Sequence, residues 1–144
     1  MKRAATYRSM TFRDYSSVIA LWRETPGIAL HDRDDSRERI ARHLRRNRGL
    51  SLVACQAGRV VGAVLVGHDG RRGYLYHLAV APSHRKCGIG RELVTRALRN
   101  LARQHIAKCN IFVMPGNKQG LAFWKRLGWT LRSNIPWLQT VTKP

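Results

Sequence analysis

Acidic side chains are scarce in this chain: eight Asp and Glu stand against 27 Lys and Arg, for a formal charge of +19 at pH 7. Such an imbalance attracts polyanions, among them nucleic acid, ribosomes, anionic lipid and phosphorylated small molecules, but it carries no information about fold. A basic proteome produces the same surface. Cysteine is sparser still. Cys55, Cys87 and Cys109 are odd in number and include no CxxC pair, which argues against a disulfide framework or a zinc site and for reduced thiols in a cytosol. The six histidines show no ligand spacing, so no metal is expected. With only five prolines and no Pro/Ser-rich tract, nothing marks a linker, and residues 1–144 are expected to form one domain. No apolar run approaches the ~20 residues that span a bilayer. The N-terminal MKRAATYRSMTFRDY has cations without an apolar core, so a secretory signal and a membrane anchor are not expected and the location is read as cytoplasmic.

Periodicity then supplies the elements. Residues 5–9 read as a short strand, and Thr11 with Asp14 three positions later reads as a helix cap. Tyr15, Val18, Ile19 and Trp22 recur at helical spacing, predicting a helix over 12–24. A loop with Pro26, Gly27 and an acidic cluster leads to a very basic helix over 36–48. The β-rich runs 51–56 and 59–66 are split by Ala57-Gly58, a hairpin turn, and a second turn leads to a strand over 74–80 that Pro82 ends. Leu93, Val94, Ala97, Leu98 and Leu101 form one face of a helix over 89–104, with Glu92, Arg96, Arg99 and Arg103 opposite. A strand over 110–113, a helix over 118–127 capped by Asn117 and stopped by Gly128, and closing strands over 129–132 and 137–142 complete the chain. A hairpin-rich first half joined to a β-α-β-α second half implies an α/β (α+β) fold, a mixed sheet with helices on its faces.

The stretch Pro82-Ser-His-Arg-Lys-Cys-Gly-Ile-Gly-Arg-Glu-Leu-Val94 carries the chemistry. Gly88 and Gly90 fall at the start of a helix directly after a strand. A helix N-terminus leaves four N–H groups free and concentrates about half a positive charge, which suits an anion. Glycine lets backbone approach a phosphate, and Arg85, Lys86 and Arg91 add charged donors. A strand-turn-helix with solvated cations is the plain alternative. Leu93 stands where a dinucleotide fingerprint wants a third glycine, and no Gly-Lys-Ser/Thr is present, so neither common phosphate loop applies.

Arg85-x-x-Gly88-x-Gly90, preceded by Leu78-Ala79-Val80-x-Pro82, resembles the acyl-CoA motif of the GNAT superfamily of N-acetyltransferases. Phe123-Trp124-Lys-Arg-Leu-Gly128-Trp129 resembles the family's later aromatic block, and the element order agrees over most of the chain. The region from Leu21-Trp22 to Gly73-Tyr74 is similar to a bacterial branch, the YpeA-like acetyltransferases. The resemblance implies a mixed, mostly antiparallel sheet of six or seven strands flanked by about four helices. It implies acetyl-CoA as co-substrate, with its pyrophosphate cradled by the turn Arg85, Lys86, Cys87, Gly88, Ile89, Gly90 and Arg91. The backbone of Leu78, Ala79 and Val80 would bind the pantetheine arm, and one of these amides would polarise the thioester carbonyl. Asn117 stands where the family often touches the cofactor, and Phe123 would flank the pantetheine or support the last helix.

The implied reaction is direct transfer of acetyl to a primary amine of a small molecule or protein within a ternary complex. An amine of pKa about 10.4 must first lose a proton. The family's base positions, four and six residues before Val80, hold Tyr76 and Tyr74. Strand alternation places both on one face and His77 on the other, so the tyrosines are expected to line the acceptor pocket and His77 to serve elsewhere. The family's general-acid tyrosine falls at Trp124, whose indole donates a hydrogen bond but releases no proton at useful pH. Asp32, Asp34 and Asp35 lie in the region that forms the acceptor wall, where they bind a cationic amine or merely cap a helix and neutralise nearby arginines. Trp22 is a pocket wall or core. Other readings stay open: a CoA- or polyanion-binding module without turnover, a nucleic-acid or ribosome-associated protein using its basic helices, and a homodimer.

Overall fold

The computed structural model describes residues 4–144. Strand β1 (Thr6–Ser9) leads through a 3-10 turn at Phe12–Asp14 into α1 (Tyr15–Arg23). The expected cap forms here, with the Thr11 amide donating to Asp14 Oδ2 at 2.8 Å. Arg8 grips the same carboxylate with bonds of 2.7 and 2.8 Å, and this charged donor is the main reason the Asp14 carboxyl sits below its ordinary pKa. Helix α2 (Arg37–Arg46) begins at Ser36, whose Oγ accepts from the Arg39 amide at 3.3 Å. Strands β2 (Leu52–Gln56), β3 (Arg59–His68) and β4 (Arg72–Val80) then run as an antiparallel meander. Helix α3 (Ile89–Arg103) crosses to β5 (Lys108–Asn110), which pairs parallel to β4, and α4 (Lys118–Arg126) follows.

The sheet order is β1-β2-β3-β4-β5. Its middle strand, β3, is buried on both faces, which is why residues 60–66 are uninterrupted by polar side chains. One face is covered by α3 through Ile89, Leu93, Val94, Ala97 and Leu101, with α4 packed beside it. The other is covered by α1 through Val18, Ile19, Leu21 and Trp22, and by Ile40 of α2. The α3 contact is close: a Cβ on Gly62 would stand 3.0 Å from Ile89 Cγ2 and 3.1 Å from Leu93 Cδ1. The family-like architecture is thus present, with four α-helices and five strands among the described residues.

Two local expectations shift. The strand read at 110–113 forms earlier, at Lys108–Asn110, and the closing strands at 129–132 and 137–142 are not formed. A strand adds only where a neighbour offers an edge, and β5 offers three residues. Pro136 also removes one backbone donor from the tail. Leu131, Ile135, Leu138 and Val141 consequently remain exposed.

These environments set the cost of truncation. Leu93→Ala, in the fully buried contact between α3 and the sheet, should lower stability by about 2–5 kcal/mol in urea unfolding. Leu138→Ala, at a residue 90% exposed, should change it by less than about 0.5 kcal/mol. Equal losses at the two positions would contradict this packing.

Candidate functional site

A β-bulge in β4 organises the site. Leu65 pairs with Tyr76 and Ala63 with Ala79, so His77 and Leu78 together oppose Val64. His77 takes up the extra residue with φ of +54°, a left-handed conformation that costs a non-glycine residue about 1–3 kcal/mol. The bulge inverts side-chain parity along the strand. Leu75, Leu78 and Val80 pack toward α3, whereas Tyr76 and Ala79 pack toward α1 and α2. His77 joins the second face, its ring centroid 4.9 Å from that of Trp22. The alternation that set His77 opposite Tyr76 is therefore broken by one inserted residue.

Asp35, in the loop between α1 and α2, fixes the imidazole. Its Oδ1 accepts from His77 Nε2 at 2.9 Å and its Oδ2 from the His31 amide at 2.8 Å. The Asp35 amide donates to the His31 carbonyl at 2.8 Å, and its own carbonyl accepts from Tyr15 Oη at 2.9 Å. The loop is thereby pinned to α1 and to β4 through one residue, and the Asp35 and His77 side chains are only 9% and 19% exposed. Burial by itself would raise the Asp35 carboxyl, but the bonds from His77 and His31 outweigh it and hold the carboxyl below the ordinary range.

These groups line an open cleft of about 480 Å³ between the α1–α2 loop, α2 and the β3–β4 hairpin. Tyr76 and Tyr74 form one side, their rings stacked with centroids 6.0 Å apart. Burial raises the Tyr76 phenol, with the neighbouring Tyr74 adding to it, so it stays protonated. His43 enters from α2 with Nε2 3.0 Å from the Val66 carbonyl, which can only accept, and burial holds its imidazole below the ordinary pKa and neutral. Asp34, Asp35 and Asp69 face this cleft against a single guanidinium, Arg46. In a chain of +19, this concavity is acidic.

On the opposite face of the sheet lies the mouth of α3. Gly88 is its N-cap at φ +81°, with nothing within 4 Å of the position a Cβ would take. Among the described residues, none accepts a hydrogen bond from the six consecutive amides of residues 86–91. Arg85 Nε folds back to the Val80 carbonyl at 3.0 Å and fastens the turn to the end of β4. Beside the turn, Phe123 lies 3.4 Å from the Cβ position of Gly90.

An opening in the sheet lies between these two places. The β4–β5 pairing runs only from Arg72 with Lys108 to Tyr74 with Asn110. Over residues 75–80 the β5-side edge of β4 has no strand partner. That unpaired edge runs from the acidic cleft to the α3 mouth.

The residues singled out in the sequence separate accordingly. Leu78, Ala79, Val80 and residues 85–91 border the open edge and the helix mouth. Tyr74, Tyr76, Asp34 and Asp35 meet in the cleft, while Asp32 faces a smaller recess beside Tyr15 and Arg23. Trp22 is completely buried beneath His77 and is core, not a pocket wall. Asn117 spends its Oδ1 on the Gly120 amide at 2.9 Å as the N-cap of α4. Trp124 stands between the rings of Phe123 and Trp129, at 5.1 and 4.8 Å. His31, His43, His68, His77 and Asp69 also line the cleft. No spacing in the sequence marks them, because they come from separate elements.

The depressed Asp35 carboxyl makes a measurable contribution. A carboxyl held low in the native state stabilises it above the unfolded value of about 3.9 and loses that effect as pH falls further. Asp35→Asn should therefore flatten the decline of the urea midpoint below about pH 4 relative to wild type. Parallel curves would show that the pair carries no linkage.

A model of the acetyltransferase (GNAT) family matches residues 15–129. An acetyltransferase of Sodalis glossinidius is 32% identical over 122 residues, covering 85% of this chain and 84% of that protein. Among solved structures, Ard1 of Thermoplasma volcanium superposes with a TM-score of 0.79 at 20% identity, over 91% of this chain and 86% of that one. The PaiA N-acetyltransferase of Thermoplasma acidophilum, solved in complex with coenzyme A, gives 0.77 at 19% identity over 87% and 89%. Sequence relatives and superposed folds converge, and the chain belongs to the GNAT acetyltransferase family.

Proposed function

We propose that the protein transfers the acetyl group of acetyl-CoA to a primary amine, with donor and acceptor bound together. The observation that carries this reading is the run of six uncommitted amides at residues 86–91, at the mouth of a 15-residue helix. Amides left free at an accessible helix mouth are open to a ligand, and the helix dipole favours an anion there. Two phosphates of CoA match that demand. Arg85, Lys86 and Arg91 supply additional charge, and the solved complex of PaiA with coenzyme A supports CoA as the donor.

From that anchor the pantetheine arm follows the unpaired edge of β4, where the backbone of Leu78, Ala79 and Val80 has groups free of a strand partner. An amide there donates to the thioester carbonyl and stabilises the oxyanion that forms on attack. Phe123 closes the side of this path above Gly90. The acceptor enters from the opposite face, through the cleft. Its ammonium form is drawn by Asp34 and Asp69, and Tyr74 and Tyr76 give its apolar part a flat wall. After attack, the tetrahedral centre expels CoA as thiolate. Trp124 contributes shape at the donor side and no proton.

Acetyl-CoA at 100 times its Kd should stabilise the fold by about 2.7 kcal/mol, a rise of several degrees in Tm. Gly88→Val forces a β-branched residue into a left-handed cap. It should lower the ligand-free Tm by a few degrees and abolish the shift with acetyl-CoA. A shift retained in the variant would remove the phosphates from this turn. Thiol release from acetyl-CoA across a panel of amines and peptides then separates an enzyme from a CoA-binding module.

A further inference from the structure

Given acetyl transfer to an amine as proposed above, some group must remove a proton from the acceptor before it can attack. A phenol, of ordinary pKa about 10, is a poor proton acceptor at neutral pH, and burial makes Tyr76 hold its proton more firmly still. We propose that His77, oriented by Asp35, is the proton acceptor of the transfer reaction.

Four observations converge on this residue. It lines the acceptor cleft, and it belongs to the stretch of β4 whose outer edge is open to the donor. Its Nε2 faces Asp35 Oδ1 at 2.9 Å, and an ionised carboxylate only accepts, so neutral His77 carries its hydrogen on Nε2. The lone pair is consequently on Nδ1. That nitrogen takes no hydrogen bond from any described residue and is not sealed from solvent. Finally, the ring is held by contacts on several sides: the Trp22 indole below, the carboxylate at one end and the bulged backbone behind. A carboxylate that fixes the tautomer and stabilises the imidazolium is the arrangement a general base requires. A mere staple between loop and strand would need neither a left-handed residue nor a free Nδ1.

The proton balance closes. The acceptor ammonium gives one proton to Nδ1, directly or through one water, and its freed lone pair forms the C–N bond to the thioester carbon. The C–S bond then breaks, and CoA departs with the electron pair. The second proton shed by the nitrogen neutralises the thiolate through solvent, while the imidazolium, paired with the Asp35 carboxylate, returns its proton to water.

Other titratable groups share this cleft. From the α1–α2 loop come His31 and Asp34, and from α2 come His43 and Arg46. The β3–β4 hairpin contributes His68 and Asp69. His43 is neutral with Nε2 engaged by Val66, and His68 is engaged at both nitrogens, accepting from the Gly70 amide at 2.9 Å and meeting Gln104 Oε1 at 2.7 Å.

The decisive variant is His77→Asn. Asparagine tolerates the left-handed backbone and can still reach toward Asp35, but it takes no proton. With the amine that wild type acetylates fastest, kcat/KM by thiol release should fall about 10²–10⁴-fold at neutral pH, and the acid limb of the pH profile should vanish. The Tm shift with acetyl-CoA should persist, which certifies folding and donor binding. Asp35→Asn should displace the acid limb to lower pH, because the imidazolium loses its counter-charge, and Asp35→Glu should restore it in part. An unchanged kcat/KM or a surviving acid limb in His77→Asn overturns the assignment to His77 while leaving acetyl transfer intact. Loss of thiol release in wild type would instead overturn the transfer reading itself. Independently of turnover, ¹⁵N NMR of wild type should show neutral His77 protonated at Nε2; the Nδ1–H tautomer would refute the proposal.

Discussion

The bulge in β4 is the constraint on which the site depends. One additional residue opposite Val64 sends Leu78 and Val80 to the α3 face and brings His77 beside Trp22 and Asp35. A bulge bends its strand and re-aims side chains, and here the bend lies beyond the last pair that joins β4 to β5. The free edge, with the α3 mouth at its far end and the cleft at its near end, lies along this part of the strand. Holding His77 in a left-handed conformation carries a cost, and the buried pairing with Asp35 and the contact with Trp22 offset it.

Charge is distributed to the same end. The chain is strongly basic, and four of its eight carboxylates hold or line the elements around the cleft. Asp14 is taken by Arg8 and the cap of the first turn, Asp35 by His77 and His31, and Asp34 and Asp69 face the cleft. Under the proposed reaction, a cationic acceptor would be repelled by most of a +19 protein and favoured in this cleft, while an anionic donor would be drawn to the α3 mouth on the opposite side. On that proposal, two substrates of opposite charge would approach from opposite faces of one sheet and meet at its open edge.

Local chemistry was legible in the sequence wherever one contiguous segment carried it. The cap at Thr11 and Asp14, the hairpin at Ala57-Gly58, the apolar face of α3 and the glycine-lined turn at 85–91 all formed as their spacing implied. The parity of residues 77–80 was not legible, because a bulge inserts one residue without any composition signal, and simple alternation then misplaces every later side chain. The pairing of Asp35 with His77 was hidden for a related reason, since it joins positions 42 residues apart through tertiary packing alone. In the tail, β-like patterning at 129–142 suggested strands, but β5 leaves too short an edge to receive them.

In the proposed reaction acetyl-CoA lies along the open edge of β4 with its phosphates at the mouth of α3. Titrating ¹⁵N-labelled protein with CoA and following every backbone amide tests it most directly. The largest shifts are expected at residues 86–91, with a second group at 78–80 and little change along α2. Shifts concentrated on the basic face of α2, with residues 86–91 unmoved, would place the phosphates elsewhere.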